Sequence, residues 1–163
     1  MTLPKADWSG AKCLLVAHVG PMTEAAALGP ALKALALWAE SRRSRLVGLW
    51  PGQPPLTGFT DRDLLHVGPG PIDLHGERPQ GAILLSDPGQ SVLDLAFALH
   101  LAGIPRRAGI AAEFGGSALT DPVAPPDLPL PERHLAVLGA LGLWARQDAR
   151  IGRETTIRRA AGT

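Results

Sequence analysis

The chain has 163 residues, of which 45% are hydrophobic and 19% are charged, and its net charge is +1. This length fits one domain with enough apolar side chain for a packed core. The nearly balanced charge excludes the strongly basic class of protein that binds nucleic acid through its whole surface. We therefore expect no nucleic-acid partner.

Targeting signals are not evident. The N-terminus has no long apolar stretch of the secretory type, and no window offers the roughly 18 uninterrupted apolar residues of a membrane helix. The lone cysteine, Cys13, cannot form an internal disulfide and lies in an apolar run typical of a core position. We expect a cytoplasmic protein without a transmembrane segment, held at a membrane only if a partner recruits it.

Short apolar runs rich in β-forming residues predict the strands. The clearest runs are 13–19, 45–50 and 81–86, and weaker ones are 64–67 and 107–111. Helical stretches alternate with these runs, which is typical of an open, mostly parallel sheet with right-handed crossovers. The sequence therefore predicts an α/β fold with a single Rossmann-like domain whose sheet is flanked by helices.

Three stretches show the three- and four-residue spacing of apolar side chains that indicates a helix. They lie at 24–41, 92–102 and 131–147. Gly29 and Pro30 interrupt the first stretch, which predicts either a kink or a late helix start. Ser91 is the expected N-cap of the second helix, and Gly103 is its expected C-cap.

Two loops follow the carboxyl ends of predicted strands, where parallel sheets usually bind ligands. The first loop carries His18 and Glu24, which could act as an acid/base pair. The same residues could be structural, with Glu24 stabilising the first turn of a helix and His18 hydrogen-bonded at a strand end. Residue types alone favour the structural interpretation.

The second loop, 86–91, offers hydroxyls, an amide and a free helix N-terminus that could hold a polar or anionic group. An ordinary turn and a helix cap would explain the same residues. Neither loop has the glycine spacing of a dinucleotide- or phosphate-binding loop, and no G-x-S-x-G motif is present. The five histidines and the cysteine show no metal-ligand spacing, so no metal and no cofactor are predicted.

A series of short motifs runs through the second half of the chain. AGIPRRAG at 102–109 is followed by EFGG at 113–116, and then by ERHLAVLGALG at 132–142. Together with Gln90 and Ser91, and with GPALKAL at 29–35, this series resembles glycosyltransferase family nine, the heptosyltransferase-like enzymes. The resemblance extends in patches from about residue 12 to residue 143, and its most specific part is 102–116.

The resemblance implies one half of the two-domain arrangement called GT-B, in which one domain takes the sugar acceptor and the other holds the nucleotide-sugar donor. In this family an acid in the first loop acts as general base. By position from the 29–35 segment, that role falls on Glu24, and His18 stands where the family has an arginine. The residues implied to contact the acceptor are Thr23, Gln90, Ser91 and Glu113.

The chain departs from the family pattern at three points. Thr23 and Glu24 replace a Gly-Asp pair, so the carboxylate is one methylene longer than the family's base, and Ala112 stands where some relatives have a basic residue. The matching motifs also end with the last helix, so we expect the donor-binding half to be missing. Positioning of both reactants supplies much of the barrier reduction in transfer chemistry, so a chain without the donor-binding half is not expected to transfer sugar alone.

Two functions follow from this pattern. The favoured one is a glycosyltransferase-like domain that is non-catalytic alone and acts as an interaction or structural subunit of a larger assembly. The alternative is the acceptor-binding half of a split glycosyltransferase, completed by a partner chain, with Glu24 as base and a sugar acceptor as ligand.

The expected division of the chain is an N-terminal extension (1–11), the Rossmann-like domain (12–145) and a basic tail (146–163). The tail is either a solvated terminus or a docking arm for an acidic partner.

Overall fold

The structure is a computed structural model, and it describes residues 7–21, 26–50, 64–66, 71–111 and 118–144. Strands and helices alternate along this part of the chain. They are β1 (Cys13–Val19), α1 (Gly29–Arg42), β2 (Arg45–Trp50), β3 (Leu64–His66), β4 (Gly81–Ser86), α2 (Leu93–Leu101), β5 (Arg106–Ile110), β6 (Asp121–Val123) and α3 (Leu130–Ala140).

The strands form one sheet in the order β3-β2-β1-β4-β5-β6. Every neighbouring pair in it is parallel, so the described sheet is parallel throughout. This is the strand order of the Rossmann fold, and it confirms the predicted α/β class and Rossmann-like domain. The direction in which strands are added reverses between β1 and β4, which therefore flank the topological switch point of the sheet.

Alternating side chains of β1 divide the core into two layers. Leu14 and Val16 pack with α1 and α3 on one face, and Leu15 and Ala17 pack with α2 on the other. A sheet covered on both faces explains why its central strands are continuous apolar runs rather than alternating ones. Cys13 is half-buried, and burial raises the pKa of its thiol to about 11, so this thiol stays protonated at neutral pH.

The first two helices follow the sequence closely. α1 begins at Gly29 with Pro30 in its first turn, which confirms the late start. The N-cap expected at Ser91 is wrong by one residue, because Val92 occupies the cap position of α2 and the Ser91 hydroxyl instead accepts a hydrogen bond from the Leu93 amide at 3.3 Å. Gly103 lies one position beyond the C-cap residue of α2, with a φ of 91°.

The end of the described chain differs from the sequence prediction in two ways. α3 ends at Ala140, because a turn with Gly142 at a φ of 73° follows it, and the predicted continuation beyond 144 lies outside the described residues. β6 is a strand of three residues that the sequence analysis did not predict. In the described part of the chain, no helix has the length and apolar character to cross a membrane.

Candidate functional site

The candidate site lies at the carboxyl ends of β1 and β4, where the strand order reverses. Rossmann-like sheets bind their ligands in this crevice. Val19 at the end of β1 is in register with Ser86 at the end of β4, and the Asp87 amide extends the pairing by donating to the Val19 carbonyl at 3.1 Å. This register brings His18 and Asp87 together although 69 positions separate them.

Three buried polar side chains meet at this point. His18 Nε2 lies 2.9 Å from Asp87 Oδ1, and His134 of α3 presents its ring to His18 in an edge-to-face contact with centroids 5.9 Å apart. His134 Nε2 lies 3.6 Å from Asp87 Oδ1, which is too long for a hydrogen bond. We call these residues the His18–Asp87–His134 cluster.

The secondary structure explains why these three side chains converge. Side chains alternate between the faces of a strand, so His18 follows Leu14 and Val16 onto the face covered by α3. Asp87 follows Leu85 onto the same face of β4. His134 lies one helical turn before Val137 on the buried side of α3, and it points toward the sheet for that reason.

Backbone contacts close the cluster from both sides. Arg133 is buried, and its Nε donates a hydrogen bond to the Ser86 carbonyl at 3.1 Å, which fixes α3 to the end of β4. Gly20 passes so close to Asp87 that a Cβ atom built at Gly20 would overlap the carboxylate oxygen Oδ2. The cluster is therefore enclosed rather than open to a large ligand, and His18, Asp87 and His134 expose only 5%, 4% and 0% of their surface.

Burial sets the charge state of His134. The pKa of its imidazole is lowered to about 4, mainly by desolvation and then by neighbouring His18 and Arg133, while Asp87 opposes the shift. The ring is therefore neutral at pH 7. Three buried atoms of the cluster, Asp87 Oδ2 and both ring nitrogens of His134, have no hydrogen-bond partner among the described residues, and the same holds for Oγ of the adjoining Ser86. An unpaired buried polar atom costs about 1–3 kcal/mol, so the arrangement is expensive for the fold unless something else pairs these atoms.

The structure places some of the predicted site residues and not others. His18 lies at the switch point, but it is buried. Gln90 and Ser91 are exposed at the same edge, after a turn in which the Gln90 amide donates to the Asp87 carbonyl at 3.1 Å and Gly89 has the positive φ of a type II turn. Thr23, Glu24 and Glu113 lie outside the described residues.

Sequence reasoning missed Asp87 and His134. Asp87 follows a confidently predicted strand, and its place at a carboxyl end was the available signal. His134 interrupts the apolar side of the last helix, which marks a buried polar residue. The prediction of no metal rested on spacing along the chain, and one ligand atom from each of His18, Asp87 and His134 lies within 4.8 Å of the others. Three distant segments supply these atoms, so local spacing could not reveal them.

A groove of about 730 Å³ lies elsewhere, along α1 and α3. Its lining includes Trp38, Leu135 and Trp144 and none of the predicted site residues. Its walls are mainly apolar helix surfaces, and the polar residues that line it, Ser9, Lys33, Ser41 and Arg42, lie away from the carboxyl ends of the strands where such a sheet usually binds its ligand. The candidate site therefore remains at the ends of β1 and β4.

The comparisons with known proteins bear on the fold. No family model and no curated protein matches the sequence. The structure is similar to that of a glycosyl transferase of family 9 from Veillonella parvula DSM 2008, with a TM-score of 0.55 and 11% sequence identity over 87% of this chain. This chain has a glycosyltransferase-like fold. It spans 43% of the length of that protein, and at this identity the likeness concerns the fold alone.

Proposed function

We propose that this glycosyltransferase-like domain acts as an interaction or structural subunit of a larger assembly and does not transfer sugar by itself. The burial of His18 is the observation that carries the proposal. Only 3% of its side chain is exposed, and its Nε2 atom is held by Asp87. A general base has to come within hydrogen-bond reach of the proton that it removes, and an enclosed imidazole does not reach a sugar hydroxyl.

The exposed residues at the same edge support binding more than catalysis. Gln90 and Ser91 offer an amide and a hydroxyl, which can hydrogen-bond a sugar or a partner's polar groups. Neither group takes up a proton at neutral pH. Gln90 and Ser91 therefore offer hydrogen-bonding contacts for a ligand or a partner, whereas the exposed acid that follows them, Asp94, lies in the first turn of α2.

The second candidate function is the acceptor-binding half of a split glycosyltransferase with Glu24 as general base. It is supported by the position of Glu24 in the connection between β1 and α1, which leaves the sheet at the switch point. The similarity to a family 9 glycosyl transferase supports the same candidate at the level of fold. A second polypeptide would then supply the donor site.

A transfer assay tests both candidates. The purified chain is incubated with a panel of nucleotide sugars, and release of nucleoside diphosphate is followed with and without any protein that co-purifies from its own cells. We expect no release by the chain alone. Release that Glu24→Gln abolishes, while Glu40→Gln on the exposed surface of α1 leaves it unchanged, would overturn the subunit proposal. If that release requires the co-purified protein, the split-enzyme candidate is correct.

The subunit role has its own measurement. Native mass spectrometry of the chain isolated from its own cells should show it in a complex of fixed stoichiometry. A monomer with no bound protein under gentle extraction would contradict the proposal.

A further inference from the structure

We propose that His18, Asp87 and His134 form a binding site for a divalent metal ion, with Zn²⁺ as the ion that the donor set suits best. Two imidazoles and one carboxylate are ordinary ligands of Zn²⁺, and three protein ligands leave a fourth position for a water molecule or for an oxygen of a bound ligand. The proposal concerns binding, so it does not depend on whether the chain transfers sugar.

The distances suit a single ion. Donor atoms about 2.1 Å from one tetrahedral Zn²⁺ lie about 3.4 Å from each other. The Asp87 Oδ1 atom lies 2.9 Å from His18 Nε2 and 3.6 Å from His134 Nε2, which bracket that separation. The ligand atoms are within 4.8 Å of one another, so small side-chain rotations bring all three into contact with one ion.

The buried polar atoms of the cluster point to a further binding partner. Both ring nitrogens of His134 and the Oδ2 atom of Asp87 are buried without a hydrogen-bond partner among the residues that the structure describes. Natural proteins rarely leave such atoms unpaired without a functional reason. A cation between the two histidines and the carboxylate would be bonded by His134 and would neutralise the buried charge of Asp87.

The charges around the site are mixed. The Asp87 carboxylate attracts a cation, and a histidine binds metal through an unprotonated ring nitrogen. The buried guanidinium of Arg133 is held against the end of β4 and opposes a cation there. We therefore expect a single site whose affinity depends strongly on the Asp87 carboxylate.

Metal titration of the full chain tests the proposal. The protein is stripped with a chelator, and Zn²⁺ binding is then measured by competition with a chromophoric chelator. We expect one Zn²⁺ per chain and a loss of affinity of about tenfold or more in His134→Gln, because even residues that only support metal ligands change affinity by about 10–100-fold. His100→Gln on the exposed surface of α2 is the matched control and should bind as the parent does.

A second control separates the proposed site from adventitious binding. Asp73 and His75 form an exposed pair, with His75 Nδ1 3.6 Å from Asp73 Oδ2, and such a pair can bind a metal ion weakly at the surface. If His75→Gln abolishes binding and His134→Gln does not, the ion is adventitious and the proposal is wrong. Absence of stoichiometric binding by the parent chain would overturn it equally.

Spectroscopy keeps the proposal testable if His134→Gln does not fold. Asp87→Asn preserves the shape of the side chain and removes the charge, and circular dichroism shows whether it folds. The unaltered chain loaded with Co²⁺ or Zn²⁺ should show two imidazole nitrogens and carboxylate oxygen in its X-ray absorption spectrum. A spectrum with only oxygen ligands would contradict the assignment.

Discussion

Gly20 controls how tightly the end of β1 covers Asp87. A side chain at this position would meet the carboxylate, and the atoms of Asp87 nearest to the added Cβ are Oδ2, Cγ and Cβ. Glycine is the residue that allows such a close approach of backbone to a buried group. The contact between His18 and Asp87 therefore depends on Gly20 because Gly20 has no side chain that would displace the carboxylate.

We predict that Gly20→Ala lowers the free energy of unfolding by about 1–3 kcal/mol, because the Asp87 carboxylate has to move away from His18 to make room. Urea denaturation monitored by tryptophan fluorescence measures this change. Gly10→Ala is the control, since a Cβ atom there meets nothing within 4 Å. Equal effects of the two substitutions would show that the close approach of Gly20 to Asp87 does not affect the free energy of unfolding.

The residues of the candidate site were only partly predictable. The carboxyl ends of β1 and β4 were identified as ligand-binding edges because strand ends can be located from apolar runs, and His18 was found in this way. The partner of His18 could not be found from spacing, since 69 positions separate it from Asp87 and only the strand order makes them neighbours. That His134 points toward the sheet could be seen only once α3 was packed on it. In the sequence, the apolar stripe of α3 is the only indication of which side of the helix is buried.

The connection between α2 and β5 is held by backbone and guanidinium hydrogen bonds. The amides of Gly103 and Ile104 donate to the carbonyls of His100 and Leu99, which is the pattern of a Schellman motif. The buried Arg107 donates from Nη1 to the Ile104 carbonyl and from Nε to the Ala118 carbonyl, both at 2.7 Å. The motif at 102–109, which opens the segment 102–116 of most specific family resemblance, thus stabilises a turn of the fold and contributes no group to the candidate site.

We predict that Arg107→Met lowers the free energy of unfolding by about 3 kcal/mol or more. The substitution keeps the bulk of the aliphatic stem but leaves two carbonyls without their charged donor, and hydrogen bonds to charged groups are worth about 1.5–3 kcal/mol each. Thermal and urea unfolding measure the change. Arg78→Met at an exposed position should change stability by less than about 0.5 kcal/mol. A loss no larger than that of the control would mean that water replaces the guanidinium without cost.

The elements themselves were predicted to different degrees. β1, β2 and β4 matched to the residue, because each is a continuous apolar run between clear breaks. β6 was missed because it has three residues with Pro122 in the middle, and proline normally indicates a loop. Proline is nevertheless tolerated in an edge strand, which pairs on one side only, and β6 pairs only with β5.

The stability of the whole sheet is expected to fall from its centre to its edges. β1 and β4 are paired on both sides and covered by helices on both faces, and every residue of β4 is buried. β3 and β6 form the two edges, and each has three residues. Amides that exchange only through global unfolding usually belong to such central strands.

Hydrogen exchange measured by mass spectrometry tests this gradient. We predict that amides of β1 and β4 exchange at least about tenfold more slowly than those of β6, since opening an edge strand breaks fewer contacts than opening the centre. Added Zn²⁺ should slow exchange further at the ends of β1 and β4 if the metal site exists. Uniform exchange across the sheet would contradict the gradient.

Trp8 has a practical consequence for anyone who shortens this polypeptide. Its indole is fully buried beneath Gly81, its amide donates to the Leu141 carbonyl at 2.8 Å, and the guanidinium carbon of Arg106 lies 5.9 Å from the centre of its ring. A truncated version that starts at Lys12 would keep all the described strands and helices. It would lose the contact by which Trp8 connects the segment before β1 to the segment after α3. Trimming should therefore stop ahead of Asp7, and an affinity tag at this end needs a spacer long enough to leave the indole seated.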